Sequence, residues 1–274
     1  MKKKEHFQKL FLEIAGFIIE IRFHKTEWPL VREKIKTWVV QYYNNFLIQP
    51  KKIKSHFLLD FVENNEINLF RDKKKDFFIH FFKEIKENNI LTFYFIGFFE
   101  LQFILGRAIE KLLSESGGFI LHASANRTVK GVMVFMGESN QGKSTITRLL
   151  NKHYPSLADD TSIIRRRNGR YYFYQTPFIE KEMWIPKKSF AYPLGRMFFI
   201  EQAKENRVKK IAKPLEYLSN FSRVIQHFSL FSENEKKTKL RESLAFLASF
   251  PDIYYLSFKK DQTALVDFFR KNVS

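Results

Sequence analysis

Residues 131–150, GVMVFMGESNQGKSTITRLL, constrain the fold of this chain more than any other stretch. Gly137-Glu138-Ser139-Asn140-Gln141-Gly142-Lys143-Ser144 fits the phosphate-loop pattern G-x-x-x-x-G-K-[ST]. A pattern match gains weight from its flanks. The apolar run Gly131–Phe135 suits a buried strand, and Ile146, Leu149 and Leu150 recur at helical spacing. Strand, loop and helix in this order let successive backbone N–H groups converge on phosphate oxygens at the positive end of a helix dipole. Lys143 would then reach the outer phosphates, the Ser144 hydroxyl would ligate Mg²⁺, and Thr145 would close the loop's contact with the nucleotide. Asn140 stands where many such loops have glycine, and asparagine tolerates the left-handed backbone such a loop needs.

The 274 residues allow one large domain or two modest ones, and 45% apolar residues are enough for a core. Thirty-two phenylalanines beside abundant Lys and Asn reflect the drift of an AT-rich genome as much as function. Without cysteine there is no disulfide and no thiolate metal site, which suits a reducing cytoplasm. Glu13 and Glu20 interrupt the apolar start, so no signal peptide is expected, and Glu100 interrupts the most apolar window, Ile90–Gly106, so no membrane span is expected either. The net charge of +18 is dispersed: residues 1–90 carry +6 and residues 91–274 carry +12, nearly equal densities. Nucleic acid and anionic substrates stay permitted, but no basic segment singles out a groove. The runs KKK at 2–4 and 73–75 and RRR at 165–167 read as solvated faces.

Along the chain, 17–23, 55–62 and 76–82 have the aromatic and β-branched bias of strands, and 29–43 reads as a helix. This N-terminal α+β part, 1–90, carries no chemical motif. In 91–274 a strand runs into a helix over about 96–113, ended by the glycines of SESGG at 114–118. A strand at 119–124 and the turn ANRTVKG lead into the phosphate loop. Asn168-Gly169 predicts a hairpin within 161–175. A strand at 197–202, a helix at 235–250, a strand at 253–258 and a terminal helix at 261–272 complete an α/β (α+β) chain.

Phosphoryl transfer needs an acid for the metal and a base or orienting group for the acceptor. Asp159 and Asp160, sixteen and seventeen residues past Lys143, supply a carboxylate pair at the distance of one helix and a return strand. Neighbours on an extended segment point to opposite sides, so the two have different roles unless the strand ends there. His122, fifteen residues before Gly137, can orient one of them or carry a proton near neutral pH. The other histidines form no zinc-ligand spacing. Arg196, or the pair Lys187-Lys188, is a candidate contact for the transferred phosphate.

GGFILHASA, GESNQGKST and LADD, in this order and at these distances, resemble the catalytic domain of HPr kinase/phosphorylase and its shorter relatives, including the lasso-peptide serine kinases. YPLGRMFFIEQAKENRVKKIAKPLEYL at 192–218 extends the likeness, which covers roughly 117–218. The resemblance implies a phosphoenolpyruvate-carboxykinase-like mixed-sheet domain that uses ATP with Mg²⁺ on a Ser/Thr hydroxyl or similar acceptor. By position, Gly137 through Ser144 bind nucleotide, Asp159 is the base, Asp160 lies with Ser144 at the metal, and His122 supports Asp159. The phosphorylase signature and the regulatory domain have no counterpart here, which argues against HPr itself as acceptor.

The sequence thus leads to a cytoplasmic kinase that moves the γ-phosphate of ATP to a hydroxyl of a peptide, protein or small molecule, as monomer or oligomer. The competing reading is a nucleotide-dependent switch or nucleic-acid-binding NTPase that hydrolyses ATP without labelling an acceptor.

Overall fold

A computed structural model describes residues 8–49, 54–63, 68–71, 77–86, 88–228 and 233–273. The lysine runs at 2–4 and 73–75 lie outside them. The chain divides into two compact units, Met1–Leu112 and Leu113–Ser274. Both are built on mixed sheets with helices, as expected of an α/β chain.

The first unit contains β1 (Gln8–Ile14), β2 (Phe17–Phe23), α1 (Pro29–Tyr42), β3 (Phe57–Val62), β4 (Asn68–Arg71), β5 (Phe77–His80), β6 (Phe82–Lys86), β7 (Asn89–Phe93) and most of α2 (Phe98–Ser114). Its main sheet has the order β1-β2-β3-β7-β6. β1 and β2 form a hairpin over Ala15-Gly16, both at positive φ, the backbone that tight hairpin turns require. Pro29 opens α1, where its fixed φ helps and its missing N–H costs nothing. β2 and β3 then run parallel on either side of that crossover. The segment 76–82, expected as one strand, is two: Phe77–His80 pairs with β4, whereas Phe82–Lys86 pairs with β7. A continuous aromatic run carries no signal for where a strand changes partners. β1 was not foreseen either, because its alternation is masked by Lys9 and Glu13.

The second unit contains β8 (Phe119–Thr128), β9 (Gly131–Met136), α3 (Lys143–Leu150), β10 (Ser156–Ala158), β11 (Thr161–Arg167), β12 (Arg170–Gln175), β13 (Tyr192–Gln202), β14 (Arg207–Lys210), α4 (Leu218–Val224), α5 (Glu233–Ser249), β15 (Ile253–Phe258) and α6 (Gln262–Asn272). Two long strands change neighbours along their length. β8 pairs with β11 through Phe119–His122 and with β9 through Ala123–Thr128. β13 meets β12 at Tyr192–Pro193, β9 from Leu194 to Phe199, and β15 from Met197 to Gln202. β9, β13 and β15 are parallel, and their residues divide between two apolar clusters. Val132, Val134, Met136, Met197 and Phe199 pack with Phe221 and Phe246 in one. Met133, Phe135, Phe198, Ile200, Leu256 and Phe258 pack with Ile146 and Leu150 of α3 and Leu265 and Phe269 of α6 in the other. Period-two alternation with both faces covered is what a parallel strand under helices demands. Asn168-Gly169 makes the predicted hairpin, both residues at positive φ.

Among the described residues no helix is long and apolar enough to cross a membrane, in agreement with Glu100 lying inside α2.

Candidate active site

β9 delivers the chain into the phosphate loop between two strands that run parallel or antiparallel to it, and α3 leaves the loop against β8. Asn140 has φ 68° and Gly142 φ 101°, so the left-handed backbone expected at Asn140 is present. Gly142 has a second reason to lack a side chain: a Cβ there would stand 2.7 Å from Gln202 Nε2 and 2.8 Å from Phe258 Cζ. The ends of β13 and β15 therefore set how tightly the loop turns into α3. The Gln141 amide oxygen accepts the Glu138 N–H at 2.8 Å, and the Ser124 hydroxyl of β8 donates to the Lys143 carbonyl at 3.1 Å. Lys143 is buried, its ammonium donating to the carbonyls of Gly137 at 2.8 Å and Glu138 at 2.9 Å. Burial pulls its pKa down, opposed by the charge of Asp160. Ser144 and Thr145 occupy the first turn of α3, half-buried, while Glu138, Ser139, Asn140 and Gln141 are exposed.

β10 ends at Ala158 and β11 begins at Thr161, so the two aspartates sit in a bend where adjacent side chains need not oppose each other. Their environments differ. Asp159 is 1% exposed: its Oδ2 accepts the Glu182 N–H at 3.3 Å, and its Oδ1 is buried with no hydrogen-bond partner among the described residues. The Asp160 side chain is 45% exposed, and its Oδ1 lies 3.0 Å from His122 Nδ1. The register Thr161↔His122 between β11 and β8 brings these two together, and the Ala123 N–H donates to the Asp160 carbonyl at 2.9 Å. The expected pairing of His122 with Asp159 is thus corrected to Asp160. Partial burial works to raise the Asp160 pKa, but the His122 hydrogen bond and the charges of His122, Lys143 and Lys187 outweigh it and hold the carboxyl below its usual value. The Gln226 amide lies 3.4 Å from the same His122 nitrogen, and Arg223, on the last turn of α4, is 3.2 Å from the Glu138 carboxylate of the loop.

The segment between β12 and β13 supplies Glu180 and Glu182, which the sequence did not single out, and Lys187, which it offered only as a phosphate contact. Glu180, whose side chain is 2% exposed, accepts the N–H of Asp159 at 3.1 Å and that of Thr161 at 3.0 Å. Burial raises its pKa to about 7, Lys187 opposing and the Asp159 carboxyl adding to the rise. Lys187 is not a solvated surface lysine: it lies 3.3 Å from Glu180 and donates to the Phe178 carbonyl. Desolvation lowers its pKa against the pull of Glu180. Lys188 stands 5.5 Å from the Phe190 ring. Glu182 pairs with Arg148 of α3, and the Gln175 amide donates to the carbonyls of Leu157 at 2.7 Å and Pro186 at 2.9 Å. The signal for Glu180 in the sequence was a short charged run, Glu180-Lys181-Glu182, in an aperiodic stretch, which predicts nothing alone. Arg196 is not at the loop. It pairs in register with Met133, three residues before β9 ends, and its guanidinium lies 5.6 Å from the Tyr254 ring centre. Membership of β13 does not fix how far along the strand a residue lies from the loop.

No family model matches the chain, and no curated protein matches it.

Proposed function

We propose that the Leu113–Ser274 unit is an ATP-dependent kinase that phosphorylates a hydroxyl, an HPr-kinase-like catalytic domain of the phosphoenolpyruvate-carboxykinase-like type. The observation that carries this reading is the convergence of a phosphate loop on an exposed, histidine-paired carboxylate: Lys143 and Asp160 lie within electrostatic reach of each other, and His122 holds Asp160.

The residues present fit Mg²⁺ with a triphosphate. The Ser144 hydroxyl at the head of α3 is a hard oxygen donor, and the loop offers backbone N–H groups beside a lysine. Bound with the phosphates, Mg²⁺ would neutralise charge on the transferring group. Lys143 would exchange the Gly137 and Glu138 carbonyls for phosphate oxygens. The acceptor hydroxyl attacks the γ-phosphorus as the bond to the β–γ bridging oxygen breaks. Asp160 takes the hydroxyl proton, and His122 orients the carboxylate that receives it. We assign the base to Asp160 rather than Asp159 because the Asp159 carboxylate is 1% exposed and accepts the Glu182 N–H, whereas the Asp160 side chain is 45% exposed.

Incubation of the protein with γ-labelled ATP, Mg²⁺ and an extract of its own cells tests the reading. A labelled acceptor that disappears with Asp160→Asn is expected. ATP hydrolysis that labels no acceptor would overturn it in favour of a switch.

A further inference from the structure

We infer that Glu180 is a positioning residue, which fixes the catalytic carboxylate of Asp160 by clamping the backbone on both sides of it. This rests on the kinase reading for its consequence, though not for its geometry. Glu180 Oε2 accepts from Asp159 N and Oε1 from Thr161 N, so one carboxylate spans the residue between them. Asp160 is the spanned residue, its carbonyl tied to Ala123 and its side chain to His122. The bend is therefore held at four points, and only the Asp160 side chain is left half-exposed. Both contacts need an acceptor at each oxygen. A carboxyl group presents an oxygen to each N–H, whereas an amide presents one oxygen and places a donor against the other N–H.

A buried carboxylate is retained at a cost, because desolvation opposes its charge. Here Lys187, 3.3 Å away and itself mostly buried, supplies the opposite charge from the same segment. The segment is anchored in turn: Gln175 holds Leu157 and Pro186, Glu182 N–H reaches Asp159 Oδ2, and the Glu182 carboxylate pairs with Arg148. Arg148 belongs to α3, whose first turn carries Lys143 and Ser144. The clamp thus refers the position of Asp160 to the helix that bears the phosphate-binding residues. A purely structural Glu180–Lys187 pair would need neither of the two backbone N–H groups flanking Asp160.

The discriminating variants are Glu180→Gln and the double variant Glu180→Gln/Lys187→Met, compared with the parent protein. The double change removes both buried charges together, so it keeps a folded protein where the single change leaves Lys187 uncompensated. Three quantities are measured: melting temperature, Mg-ATP affinity, and single-turnover transfer to the acceptor. The His122 ring resonances are followed as a fourth, independent of activity. The expected result is a double variant that melts near the parent, binds Mg-ATP with parent affinity, transfers phosphate about 100-fold more slowly, and shows displaced His122 signals. Parent-rate transfer in the double variant would mean that Glu180 only balances Lys187, and would overturn the inference. Unmoved His122 signals in both variants would overturn it as well. If the parent itself labels no acceptor, the kinase reading fails separately, and the His122 resonances still decide whether Glu180 sets Asp160.

Discussion

His122 Nδ1 stands 3.0 Å from Asp160 Oδ1, and the β8–β11 register that creates this pair also places the neighbouring Asp159 in the interior. Two adjacent carboxylates have in this way been given separate tasks by one bend in the chain. Asp160 is anionic, half-exposed and oriented. Asp159 is buried and holds the Glu182 backbone.

The first prediction follows from that division. Asp160→Asn leaves Mg-ATP affinity largely intact and slows transfer by roughly 10²–10⁴-fold, the scale of a positioned base. Asp159→Asn acts chiefly on stability and lowers the melting temperature, because its carboxylate is part of the packed bend. Equilibrium nucleotide binding, single-turnover transfer and thermal unfolding of the two variants separate these outcomes. Parent-rate transfer by Asp160→Asn removes it as the base.

The residues of this candidate site were legible in the sequence to degrees that differ residue by residue. The phosphate loop was readable because its glycines, lysine and serine are all local in sequence and each answers a local requirement. His122 and the aspartates were readable as candidates, but their pairing was not, since it depends on which residue of β8 faces which residue of the bend. Glu180 lay beyond reach, and Lys187 was readable only as a candidate phosphate contact and not as the partner of Glu180: nothing in TPFIEKEMWIPKK marks a loop that folds back onto residues some twenty positions earlier. The place of Arg196 was not legible either, since a residue of the strand beside β9 can pair well before the end that enters the loop.

Gly142→Ala is expected to damage the loop specifically. The residue has φ 101°, and the added carbon would approach Gln202 and Phe258 to under 3 Å. The left-handed backbone alone costs about 1–2 kcal/mol with a side chain. Asn140→Gly, at a φ of 68° with an exposed side chain, should be tolerated. Nucleotide affinity and melting temperature of the two variants check the contrast, and a Gly142→Ala protein that binds ATP as the parent does would contradict the geometry.

Two buried carboxylates give the stability pH dependences of opposite sign. Burial works to raise the Glu20 pKa, but Arg22, Lys9 and Ser55 prevail and hold it at about 2 against an unfolded value of 4.5. Its contribution is present above pH 4.5 and lost as pH falls toward 2. Glu180 is raised from 4.5 to about 7, so its protonated form favours the folded state, and that stability is lost as pH rises through 7. Protection factors of the β2 amides, corrected for the intrinsic pH dependence of exchange, should fall on acidification in the parent and less so in Glu20→Gln. The loss between pH 4.5 and 7 should vanish in Glu180→Gln.

Lys143 provides the last prediction. Its ammonium is buried and donates to the carbonyls of Gly137 and Glu138, which turns the loop's own backbone into its resting partner. Binding a triphosphate then exchanges neutral acceptors for anionic ones, and charge-assisted hydrogen bonds are roughly twice as strong. The gain is reserved for the outer phosphates, so Lys143→Met should weaken ATP far more than AMP. The methionine keeps much of the buried stem, which separates lost charge from lost packing. Chelation of divalent ions should weaken ATP binding further, because Ser144 offers the metal a hydroxyl oxygen only. Titrations of ATP, ADP and AMP against the parent and Lys143→Met, with and without Mg²⁺, measure this directly. Equal losses for all three nucleotides would show that the substitution collapses the loop, and unchanged ATP affinity would show that Lys143 never leaves its carbonyls.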